Sequence, residues 1–97
     1  MKARLTPRAL AEAEREQTWW RENRVDAPEL FDDELEEALE KIRRWPSRGT
    51  IYPSSFGTLV RRVLLTRTNN HVYYAVHDGE VVILCVWGAP RKRGPKL

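Results

Sequence analysis

The chain has a single cysteine, Cys85. That excludes an internal disulfide framework and a cysteine-built zinc cage. Cys85 stands inside an apolar run, where a lone cysteine behaves as a small buried hydrophobe rather than a reactive thiol. Histidine is nearly as scarce. His71 and His77 share one stretch and bring no supporting ligands, so no metal site is expected. No apolar run reaches membrane-spanning length, and no apolar region follows Met1-Lys2-Ala3-Arg4-Leu5 as a secretory signal requires. The expectation is a cytoplasmic protein without membrane contact. No glycine stands in the strand–glycine–helix setting of a phosphate cradle, and no cofactor motif occurs.

Acidic residues are missing from most of the second half. All but Asp78 and Glu80 lie between Glu12 and Glu40. From Lys41 to Leu97 those two acids face eleven Lys and Arg. The net charge of +3 therefore joins an acidic segment to a strongly basic one. Such asymmetry favours an acidic partner for the basic part, either nucleic acid or an acidic protein segment. With 97 residues the chain makes one domain, 1–97, ending in a basic tail, 90–97.

What is present is organised around a hairpin near the carboxyl end. Two runs of β-branched and aromatic residues, 71–77 and 80–87, flank Asp78-Gly79. A tight I′ turn needs positive φ, which Asp-Gly tolerates. The second run, Val81-Val82-Ile83-Leu84-Cys85-Val86-Trp87, is continuously apolar and reads as an inner strand covered on both faces. Strand alternation in the first run sends Val72, Tyr74 and Val76 one way and His71, Tyr73, Ala75 and His77 the other. Leu59 to Leu65 makes a preceding strand, with a turn over 67–70.

The upstream part supplies the cover. After a short strand over 2–5, Thr6-Pro7 reads as an N-cap followed by proline at the first helical position. This helix should run to about Asn23 or Arg24 with Ala9, Leu10, Ala13 and Trp20 inward and Trp19 beside them. Asp26 and Glu29 have the spacing of a capping box for a second helix. There Phe31, Leu35, Ala38, Ile42 and Trp45, widened by Leu30 and Leu39, form the inner stripe. Asp32, Asp33, Glu36, Glu37 and Glu40 form a solvated outer face, and Lys41, Arg43 and Arg44 complement the helix dipole at its end. Pro46 stops the helix. Residues 47–57 read as a loop; Gly88-Ala89-Pro90 stops the last strand, and 91–97 reads as a basic tail without regular structure. The expected order is β-α-α-β-β-β, an α+β fold in which a helical hairpin packs on one face of a largely antiparallel sheet. The other face carries arginines and aromatics.

This ordered set resembles the RelE/ParE superfamily, toxins of bacterial type II toxin–antitoxin modules often described as plasmid stabilisation proteins. The resemblance rests on Val60-Arg61-Arg62-Val63-Leu64-Leu65, Val72-Tyr73-Tyr74-Ala75-Val76, Val81 through Trp87, the Arg-rich tail, and paired helices ending near Trp45-Pro46. It covers nearly the whole chain and implies one strand, two helices and a three-stranded meander, without a cofactor.

The resemblance implies two modes of action. The RelE-like branch cleaves messenger RNA on the ribosome by attack of a 2′-hydroxyl on the adjacent phosphate. That chemistry needs a proton acceptor, a proton donor and cations around the phosphorane. Arg61, Arg62, His71, Tyr73 and Arg91 are the candidates here, but the tyrosine common near that branch's carboxyl end has no counterpart after Trp87. The ParE-like branch is not catalytic and poisons DNA gyrase by binding it. The longer helical hairpin, Tyr73-Tyr74 and the segment from Trp87 to Arg93 resemble this branch more, although Pro90 departs from its pattern. Its target-binding residues would be Trp87, Arg91, Lys92 and Arg93. Both branches imply a cognate antitoxin whose partly disordered, often acidic segment folds around the toxin. An inactive relative that only binds a partner is the third alternative.

Overall fold

The computed structural model describes residues 1–55, 57–88 and 94–97. The elements run β1 (Lys2–Leu5), α1 (Pro7–Asn23), α2 (Leu30–Arg44), a 3₁₀ turn (Pro46–Arg48), β2 (Thr50–Tyr52), β3 (Val60–Leu65), β4 (Asn70–His77) and β5 (Glu80–Gly88). They form one five-stranded sheet in the order β1-β5-β4-β3-β2. β1 lies parallel to β5, and the other pairs are antiparallel. Both helices pack on the same face. The fold is α+β, with the expected order of elements plus one short strand.

That strand is β2. Residues 47–57 read as loop in the sequence, but Thr50, Ile51 and Tyr52 pair with Arg62, Arg61 and Val60. Three residues are too few to show an alternating pattern, and Pro46, Gly49 and Pro53 crowd the segment with turn signals.

The hairpin forms as its sequence requires. Asp78 and Gly79 have φ of 50° and 73°, the left-handed pair of a I′ turn. β5 lies between β1 and β4, with Val81, Val82, Ile83, Cys85 and Val86 buried. The register slips once, because Tyr73 pairs with Cys85 and Tyr74 with Ile83. Leu84 is the extra residue of a β-bulge, so Leu84 and Cys85 both belong to the face away from the helices.

The main core lies between sheet and helices, among Ala9, Ala13, Phe31, Leu35, Ile42, Leu65, Val72, Tyr74, Val81, Ile83 and Val86. Burying a residue such as Phe31 or Ile83 contributes about 1.5–3 kcal/mol. Thr6 caps α1 through Ala9 N–H to Oγ1 at 3.1 Å. Leu10 is a correction: it is 50% exposed, because the inward line follows Ala9, Ala13 and Trp20, and Leu10 stands one residue off it. The Asp26–Glu29 capping box does not form either. Glu29 is the N-cap of α2 without a side-chain bond. Two tight turns satisfy the approach instead, through Ala27 N–H to Arg24 O and Leu30 N–H to Ala27 O.

Glu34 is a buried acid on the inner side of α2. Its carboxylate accepts from Arg67 N–H at 2.7 Å, Thr68 N–H at 2.9 Å and Thr68 Oγ1 at 2.7 Å. It thereby ties the β3–β4 turn to α2. Burial pushes its pKa up, but the Thr68 hydroxyl, the two amides and the Arg67 guanidinium outweigh that and hold it below 4.5.

Candidate functional site

The sheet face away from the helices gathers several of the candidate residues. β3 and β4 place Arg62 opposite Tyr73. β4 and β5 place His71 opposite Trp87 and Tyr73 opposite Cys85. The bulge keeps Trp87 and Cys85 on this face together. Arg62 Nη1 reaches the Tyr73 hydroxyl at 3.5 Å, the outer limit of a hydrogen bond. The Arg62 guanidinium also lies 5.5 Å from the Tyr52 ring centroid. Tyr52 meets Tyr73 edge-on at 4.7 Å, and His71 meets Tyr73 edge-on at 6.0 Å.

Protonation follows from these neighbours. Burial, then the charge of Arg62, lowers the His71 pKa below 6.5. At neutral pH His71 is therefore an uncharged imidazole with one acceptor nitrogen. Burial raises the Tyr73 pKa above 10.0, with the Arg62 contact opposing it, so Tyr73 is a phenol. Arg62 is the cation that acts on both. A neutral base, a neutral donor and a cation thus share a few ångströms of sheet.

Residues 94–97 cover part of this face. Leu97 is 9% exposed and packs in one cluster with Val60, Tyr73 and Cys85. The Tyr52 hydroxyl donates to Pro95 O at 3.0 Å. Ser55 N–H and Oγ both donate to Leu97 O, at 3.0 and 3.1 Å. Arg8 on α1 donates to Lys96 O at 3.0 Å, and its guanidinium lies 5.9 Å from the Trp87 ring centroid. Under this cover Tyr73 is 1% exposed.

Of the candidate residues, Arg62, His71, Tyr73 and Trp87 come together. Arg61 does not. It points to the helix side and donates to Gly49 O at 2.8 Å. There it braces the turn after α2, where a Cβ on Gly49 would come within 2.5 Å of the Tyr74 hydroxyl. Arg91, Lys92 and Arg93, with Ala89, Pro90 and Phe56, lie outside the described residues. Sequence reasoning missed Ser55, Arg8 and Leu97. They belong to a loop, a helix surface and the stretch 94–97, where no periodic pattern marks them.

A second concave feature lies on the helix side, a groove of about 280 Å³ between α2 and β3. Ile42, Trp45, Val63 and Leu65 line it, along with Lys41 and Arg48. β2 pairs with β3 only at Val60, Arg61 and Arg62. Among the described residues, no group of three or more His, Cys, Asp or Glu is placed to hold a metal ion, and no helix is long and apolar enough to cross a membrane.

Two helices on one face of this sheet define the RelE/ParE-like toxin fold. The chain belongs to the ParE toxin family: the family model described as ParE toxin of type II toxin-antitoxin system, parDE, matches residues 3–92. Among solved structures it is similar to a chain of the chromosomal ParDE toxin–antitoxin system from P. aeruginosa. The identity there is 20%, over 91% of this chain and 95% of that one, with a TM-score of 0.65. It is also similar to the isolated E. coli RelE toxin, with 18% identity over 95% of this chain and 87% of that one, and a TM-score of 0.61. Both likenesses concern the fold. No curated protein matches the chain.

Proposed function

We propose that this toxin arrests growth by binding and poisoning DNA gyrase, through Trp87 and the basic segment Arg91-Lys92-Arg93 that follows β5. The family match supports a ParE-type toxin. The observation that favours binding over catalysis is the burial of Tyr73 beneath Leu97. While Leu97 is seated, the phenol is closed off from a substrate phosphate, a contact that general acid catalysis requires. Trp87 and the basic segment need no proton transfer to act. The direct test is purified DNA gyrase with the purified chain. Loss of supercoiling at stoichiometric toxin, with cleaved DNA accumulating, is expected. Unchanged gyrase activity alongside messenger RNA cleavage in a translation extract would overturn the reading.

A cognate antitoxin neutralises the protein in this account. The groove between α2 and β3 suits a partly apolar segment, since Ile42, Val63 and Leu65 offer an apolar floor; its charged lining is mixed, with Lys41, Arg48 and Arg67 beside Glu34 and Glu37.

The second reading is a ribosome-associated endoribonuclease acting on messenger RNA. One observation favours it: Arg62, His71 and Tyr73 share a face, with His71 uncharged at neutral pH.

A further inference from the structure

We propose that residues 94–97 form a displaceable strap, which opens while the rest of the domain stays folded and so controls access to the sheet face carrying Arg62, His71, Tyr73 and Cys85. The inference concerns control of that face and does not depend on which target the toxin poisons.

Four features argue for a built strap. Leu97 fills a seat among Val60, Tyr73 and Cys85. The Tyr52 hydroxyl, the Ser55 amide and hydroxyl, and the Arg8 guanidinium hold three successive carbonyls, those of Pro95, Lys96 and Leu97. Gly94 passes so close to Tyr52 that a Cβ there would fall on the phenol oxygen. The seat is also assembled from distant parts of the chain, since β2, the loop after it and α1 each contribute a donor.

The same features make it releasable. Residues 94–97 belong to no strand or helix, so no ladder of hydrogen bonds joins them to the sheet. Among the described residues, two buried side chains, Pro95 and Leu97, and a few hydrogen bonds hold them, whereas Tyr73 belongs to a strand paired on both sides. Segments with so few contacts open locally at far lower free energy than the whole domain unfolds. A ligand that needs Tyr73 or Arg62 then binds only the open fraction, and its apparent affinity falls by that fraction.

Cys85 is the reporter. It is the sole cysteine, fully buried, and shares the cluster of Leu97. Its labelling by a small thiol reagent such as 5,5′-dithiobis(2-nitrobenzoate) is measured on the intact native chain across sub-denaturing urea. The expected result is a labelling rate with a shallower urea dependence than global unfolding. Tyr52→Phe, Leu97→Ala and Gly94→Val should speed labelling at least tenfold in folded protein. Labelling that tracks global unfolding in the unmodified chain would overturn the proposal, because the strap would not open on its own. Rates unchanged in the variants would also overturn it, because the strap would not be the cover. The urea dependence is read on the native sequence, so a poorly folding variant does not decide the matter.

Discussion

Tyr73 and Tyr74 are neighbours in β4, each 1% exposed, and they serve opposite faces of the sheet. The Tyr74 hydroxyl donates to Pro46 O at 2.6 Å and accepts Gly49 N–H at 3.0 Å, which fixes the turn after α2. Tyr73 meets Tyr52, His71 and Arg62 on the other side. One tyrosine holds the helical layer to the sheet, and the other forms the floor of the candidate site.

These roles separate by mutation. Tyr74→Phe strands a carbonyl and an amide and should cost about 1–3 kcal/mol of stability. Tyr73→Phe loses only a marginal contact and should cost less than about 1 kcal/mol. Urea unfolding monitored by tryptophan fluorescence compares the two, and equal losses would count against this division.

Glu34→Ala leaves two amides and a hydroxyl without their acceptor and should cost about 2–3 kcal/mol. The pH dependence has a definite sign. Because the folded pKa lies below 4.5, the contribution is complete above that value and is lost as pH falls through the folded pKa. Acid titration of stability should therefore steepen below pH 4.5 in the native protein. In Glu34→Gln that limb should flatten.

Burial and then Arg62 hold the His71 pKa below 6.5. Arg62→Ala removes the second cause, so the pKa should rise while staying below 6.5 if burial persists. The stability linked to His71 is complete above 6.5 and declines as pH falls through its folded value. Imidazole resonances followed by nuclear magnetic resonance across pH 4–8, roughly two units either side of an ordinary histidine pKa, report the shift directly. A fall on removing Arg62 would contradict the assignment.

If Trp87 and the basic segment are the contact surface for the target, Arg91→Ala, Lys92→Ala and Arg93→Ala combined should reduce growth arrest at least about tenfold, the loss of a few charge-assisted contacts. Full toxicity in the folded triple variant would sink the assignment.

The elements with strong periodicity were legible in the sequence. Phe31, Leu35 and Ile42 are buried, α1 begins at the Thr6 cap, and Asp78-Gly79 makes the turn. Features set by tertiary contact were not. The bulge at Leu84 is invisible in a continuous apolar run because every residue of that run is acceptable on either face. Glu34 looks like another member of an acidic helix, and only the packing of the β3–β4 turn reveals its role. Alternation placed His71 and Tyr73 together. The same alternation carries Arg61 to the face opposite Arg62, which a pair of adjacent arginines considered together conceals. The covering of Tyr73 by Leu97 joins chain positions that no local pattern connects.

The proposed target is DNA gyrase rather than messenger RNA. After induced expression in bacteria, parallel cultures given labelled thymidine or labelled methionine show which synthesis stops first. Thymidine incorporation falling first is the expected result. Methionine incorporation falling first, with DNA synthesis still running, would contradict it and turn attention to Arg62, His71 and Tyr73.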